Sequence, residues 1–237
     1  MFWRRIRLVS EGLSVRTDGL SRRDHPELRV AVSDPGLRAG AERFLRFVAD
    51  YLRKSGRSLR VGETLRYGYW LVKFAADVAD PNVLEVTELE ADAAAFRPGG
   101  SLSIRYWEEQ HRVCRRYNAL FAPPDPDTLT ALSAGVKEGK PVQGMRYPWP
   151  APMSGWLIVT DEHDGDETSL VHDHTYHVTA ARPDLAPYLA LPPGFGFDLR
   201  GTSKVTYDEE LLKEHLREYF GDRAVEDAGF PKRRRAP

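Results

Sequence analysis

The chain has 237 residues, 41% hydrophobic and 29% charged, with a formal net charge of −1, a composition and length that bury a core without covalent staples. One cysteine, Cys114, excludes an internal disulfide, and no apolar run approaches the ~20 residues of a membrane helix. Residues 1–120 hold 21 basic and 16 acidic residues, residues 121–237 hold 13 and 19, and this uneven charge speaks against direct nucleic-acid binding and for a cationic partner. The N-terminus is basic but lacks the apolar stretch of a signal peptide, so the expected location is cytoplasmic.

In chain order, residues 1–25 show no period and read as a loosely ordered arm. A strand is expected from Glu27 to Ser33, stopped by Asp34-Pro35-Gly36. The three- and four-residue spacing of Leu37, Ala41, Phe44, Leu45, Val48, Tyr51 and Leu52 predicts a helix over 37–54 with Gly56 as its stop. Strands are expected at 59–61, 64–67, 69–74 and 83–89. A second helix spans 102–118, with Ile104, Trp107, His111 and Cys114 on one stripe and Ser101 as N-cap. Pro123, Pro124 and Pro126 then place a boundary between a unit at 26–122 and a unit at 128–220. The second unit reads as strands at 128–136, 142–147, 154–160, 168–179 and 195–207 with a short helix at 183–189. Asp208 caps a last helix striped by Leu211, Leu212, His215, Leu216, Tyr219 and Phe220, and 221–237 is a basic flexible tail. The fold class is α+β: mixed or antiparallel sheets with a few flanking helices, in two packed units.

Few residues carry chemistry. His172-Asp173-His174-Thr175-Tyr176-His177 is the one histidine cluster. In a regular strand His172 and His174 share a face and His177 points away, so His172 and His174 are the pair open to a metal, with the 161–167 loop completing the site. The plainer reading is a half-exposed strand whose histidines hydrogen-bond locally. Cys114 lies on an apolar helix stripe, which argues for packing over reactivity. Ser154 has no Gly-x-Ser-x-Gly elbow around it, and no phosphate-cradling glycine loop exists. Asp161-Glu162-His163-Asp164-Gly165-Asp166-Glu167 places five carboxylates on a loop between strands. It reads either as a solubilising hairpin loop or as a patch that steers a basic partner, with Glu85, Glu88, Glu90 and Asp92 extending it if the units pack together. Trp156 is the candidate aromatic anchor beside it.

Four motifs then follow in order: Gly144-Met145-Arg146-Tyr147-Pro148, Met153-Ser154-Gly155-Trp156, Arg182-Pro183-Asp184, and Leu191-Pro192-Pro193-Gly194-Phe195. With these, residues from about Leu129 to Asp208 resemble the small bacterial domain numbered thirty-three among the immunity proteins of polymorphic toxin systems. Residues 27–120 are similar to the N-terminal extension of its longer relatives. The resemblance implies a non-catalytic, cofactor-free protein that binds and occludes a cognate protein toxin, with no catalytic residues to carry over. Combined with the charge, it implies a basic nuclease domain as the toxin class, contacted by Asp161, Glu162, Asp164, Asp166, Glu167 and Trp156. The rival readings are a metal-dependent enzyme built on His172, His174 and the acidic loop, and a scaffold that binds a cellular protein.

Overall fold

The structure is a computed structural model and describes residues 6–21 and 24–221. The basic tail expected at 221–237 lies outside the described residues from 222 onward, as do residues 1–5 of the expected arm. No described helix is long and apolar enough to cross a membrane.

Seven strands make the first sheet: β1 (Arg7–Glu11), β2 (Ser14–Asp18), β3 (Glu27–Ala31), β4 (Thr64–Tyr67), β5 (Trp70–Ala76), β6 (Val83–Leu89) and β7 (Phe96–Pro98). Their order is β1-β2-β3-β6-β5-β4, with β7 also on β6. β3 runs parallel to β6, and the other pairs are antiparallel. The segment expected to be a loose arm is therefore a hairpin over 7–18, with Val15, Thr17 and Leu20 buried. Its order comes from a distant carboxylate. Glu27 accepts hydrogen bonds from Thr17 Oγ1 at 2.7 Å and from the N–H groups of Gly19 and Ser21 at 2.9 Å. Burial pushes the Glu27 carboxyl up, but these donors outweigh it and hold it below its ordinary value. The expected strand at 59–61 is absent, because Val61 is exposed and the backbone there turns into β4.

Two helices cover one face of this sheet. α1 (Arg38–Ser55) buries Ala41, Phe44, Leu45, Val48 and Leu52, and stops at Gly56, whose left-handed backbone (φ 65°) lets its N–H reach Leu52 O at 3.0 Å. α2 (Ser101–Arg116) lies beside it. Their close approach needs Gly40, where a Cβ would collide with Ile104 and Glu108. The N-cap of α2 is Gly100, not Ser101, and it offers no side-chain acceptor. Glu88 reaches over from β6 instead and accepts from the N–H groups of Leu102 (3.0 Å) and Ser103 (2.8 Å).

The second sheet holds β8 (Leu129–Leu132), β9 (Val142–Arg146), β10 (Met153–Thr160), β11 (Val171–His174), β12 (Phe195–Asp198) and β13 (Lys204–Tyr207), in the order β11-β8-β10-β9-β12-β13. β8 and β10 are parallel, and the rest are antiparallel. Two expected strands are split. Residues 168–179 give β11 and then α3 (Thr175–Ala181), and 195–207 is the β12–β13 hairpin. The expected short helix is a 3₁₀ segment, Pro183–Tyr188, and α4 (Glu209–Phe220) starts with Asp208 accepting from Leu211 N–H at 2.9 Å. The α+β class with mixed sheets and flanking helices is the observed one.

The two sheets share α2. Its Ile104 belongs to the first core, while Tyr106 and Cys114 join Trp156, Ile158, Leu185 and Leu189 in the second, together with Tyr69 and Trp70 of the first sheet. Gln110 Nε2 donates to Ala186 O at 3.0 Å, and Tyr69 pairs its hydroxyl with Thr179 Oγ1 at 3.1 Å. Cys114 is packing, as its stripe predicts, and burial pushes its thiol up to about 11.

Candidate partner-binding surface

The motif residues of the second unit turn inward. Gly155 sits at an irregularity in the β8–β10 register with φ 85°, and a Cβ there would collide with Tyr147 O. Only glycine lets β10 bend at this point. The bend carries Trp156 into the core, fully buried, with Nε1 donating to Leu189 O at 3.1 Å. Trp156 is therefore not a partner anchor, because none of its surface faces solvent. Arg146 is buried beneath it. Its Nε donates to Ser154 O at 3.2 Å and its Nη1 to Leu191 O at 2.7 Å and to Ala122 O. Burial pushes its guanidinium down to about 10. Arg182 grips Asp184 with two hydrogen bonds, at 2.9 and 2.8 Å, and donates through Nη1 to Val136 O and Lys140 O. Those bonds hold the Asp184 carboxyl below its usual range. Both arginines satisfy carbonyls that the loops leave over, which is a structural task.

The histidine cluster is split by the β11–α3 junction. The side chains of His172 and His174 lie on one face of β11, opposite Ala131 and Leu129 in register. His174 Nδ1 bonds Asp127 O at 2.8 Å. His177 is on α3, where Nδ1 meets Asp173 Oδ1 at 2.7 Å, and Lys137 Nζ meets the other oxygen at 2.6 Å. Burial pushes the Asp173 carboxyl up, but bonds from Lys137, His177 and the His174 N–H prevail and hold it low. The geometry matches local hydrogen bonding. Among the described residues no three His, Cys, Asp or Glu side chains are grouped to hold a metal ion.

The acidic loop follows β10 directly, and Asp161, Glu162, Asp164, Asp166 and Glu167 are all exposed. Asp164 and Asp166 shape it: Asp164 accepts from the Asp166 N–H at 3.0 Å, and Asp166 accepts from Thr168 N–H at 2.9 Å and Oγ1 at 2.7 Å. Asp161 pairs with Arg200 Nη1 and Glu162 with Lys140 Nζ, each at 2.6 Å. Both carboxylates keep two-thirds of their side-chain surface in water (67% each). Arg200 also forks onto Asp198, whose carboxyl is held at about 2 by those bonds. The second acidic group does not extend this patch as a unit. Glu88 is buried as the cap of α2, and Glu85 faces Arg29 across the first sheet.

Sequence reasoning missed the outer face of the second sheet. The register lines up His172, Ala131, Leu157, Met145, Gly196 and Thr206 in one row across all six strands. Residues opposed in register share a face. Leu129, Met145, Met153 and Leu157 are half-buried, and none of them packs into either core. The signal is the alternation of Met145 and Leu157 with buried Gly144, Arg146, Trp156 and Ile158. A run apolar at every position hides which face is solvated until the register is known.

No curated protein and no solved structure matches the chain. The family comparison matches residues 109–208 to the Imm33-like domain, a span that starts inside α2 and takes in all six strands of the second sheet.

Proposed function

We propose that this protein is a cytosolic immunity protein that binds a cognate toxin domain and occludes it without performing chemistry. The observation that carries the reading is the Imm33-like match over 109–208, a span that contains the whole second sheet. The partner it fits is a cationic protein domain, with a nuclease as the toxin class, since nucleases hold phosphates with basic surfaces. In support, the loop Asp161–Glu167 presents five exposed carboxylates at one end of that sheet. Such a loop accelerates association with a basic partner in a salt-dependent way. Arg200 holds Asp161 and Lys140 holds Glu162 in place, so their geometry is set before a partner arrives.

The test is co-expression with the C-terminal domain encoded by the adjacent gene. Restored growth, together with a complex that survives gel filtration, is the expected outcome. A toxic neighbour that this protein fails to neutralise defeats the reading.

A further inference from the structure

The outer face of the second sheet is an unassigned surface of this protein. Cross-strand register puts half-buried Met145 beside half-buried Leu157, with Ala131 and Gly196, both buried, flanking them. Buried Val159 and exposed Gln143 form the next pair toward the acidic loop, continued by Asp198 and Lys204. The opposite face of the same strands is fully occupied: Ile158, Trp156, Leu132 and Phe197 are buried in the second core. α4 packs where β9 ends, with His215 against the rings of Tyr147 and Trp149, at the far end of the strands from the acidic loop. Between α4 and that loop lie half-buried Met145 and Leu157 and exposed Gln143.

Charge says what fits there. At the loop end, Asp161, Glu162, Asp164, Asp166, Glu167 and Asp198 stand against Lys140, Arg200 and Lys204. Arg200 is saturated by Asp161 and Asp198, and Lys140 by Glu162. The excess is anionic. An apolar strip with an anionic end matches the anatomy of a protein interface, an apolar centre inside a polar rim. Methionine and leucine supply adaptable contact without demanding hydrogen-bond partners.

We propose that this face is the docking site, and that its occupant is a cationic protein segment that lays aliphatic side chains over Met145 and Leu157 and directs its basic residues toward Asp161–Glu167. The assignment rests on the immunity reading above and adds to it where on the chain the toxin binds.

The experiment measures binding of the adjacent gene's C-terminal domain to the full chain and to two variants, Met145→Glu and Gln143→Arg. Gln143 is exposed, so its variant folds even if the first does not, and thermal melts verify both. Met145→Glu is expected to weaken binding about thirtyfold or more, as at an interface centre. Gln143→Arg, which adds a like charge against a basic partner, is expected to weaken it roughly tenfold, with the loss shrinking at high salt. Wild-type binding with both folded variants unaffected overturns this docking site and leaves the immunity reading standing. No wild-type binding or rescue overturns both. A free protein that sediments as a dimer, and as a monomer after Gln143→Arg, makes a second copy of this chain the occupant and overturns the proposal.

Discussion

The two faces of the second sheet are built from the same strands and do opposite work. The inner face holds Trp156, Ile158, Arg146 and Phe197, buried and hydrogen-bonded where polar. The outer face holds Leu129, Met145 and Leu157, which join neither core. The residues that carry the family resemblance, Arg146, Gly155, Trp156, Arg182 and Asp184, are interior or tie down loops. Such residues specify a scaffold. On the reading proposed above, recognition is expected at the outer face, where Met145 of the same motifs turns away from the core, and at the loop that follows β10.

The contrast can be broken from the inside. Trp156→Ala removes a fully buried ring and leaves Leu189 O without its donor. A loss of about 3–5 kcal/mol in stability is expected, read from urea unfolding. A near-neutral result would mean that the inner face does not hold the domain together.

A smaller effect probes the junction between the sheets. His111 on α2 stacks on Phe121 at 3.8 Å between centroids and lies 3.9 Å from Trp107. Burial, with help from the nearby Arg115, holds its imidazole below the ordinary 6.5. Below that value the unfolded chain takes up a proton that the folded chain resists. Stability is therefore expected to fall as pH drops from about 7 through 6.5, until the folded imidazole also titrates. His111→Gln should flatten part of this dependence in melts between pH 8 and 5. His215 is shifted the same way by burial and keeps its own share. An unchanged pH slope would remove His111 from the account.

The smallest effect on stability is expected at the loop. Converting Asp161, Asp164 and Asp166 to Asn and Glu162 and Glu167 to Gln keeps the turn acceptors of Asp164 and Asp166 and breaks only exposed ion pairs. The melting temperature should stay put, while association with a basic toxin slows and loses its salt dependence. If affinity and its salt dependence are both unchanged, the loop is a solubilising turn.

Much of the fold was legible locally. The apolar spacing of 37–54 predicts α1 and its Gly56 stop, the strand expected at 83–89 has the observed limits, and Asp208 caps α4 as expected. These signals work because each is decided within a turn or a strand of the residue itself. The hairpin over 7–18 was not legible, because its order depends on Glu27, and the start of α2 was misassigned to Ser101, because Glu88 supplies the acceptor. The 168–179 stretch reads as one strand, but its pairing with β8 ends at His174, and from Thr175 the backbone bonds back to Thr128 O and Pro126 O as α3 begins.

By itself the sequence determined the α+β class, the elements with strong periods, and the acidic character of the loop after β10, since composition and spacing act over a few residues. Only the tertiary structure decided that Trp156 is inside, that His177 joins Asp173 and Lys137 rather than His172, and that Met145 and Leu157 share an open face. Each of these depends on strand register and on side chains arriving from distant segments. A shift of one residue in pairing would exchange the two faces, and nothing in a single strand records which register its neighbour takes.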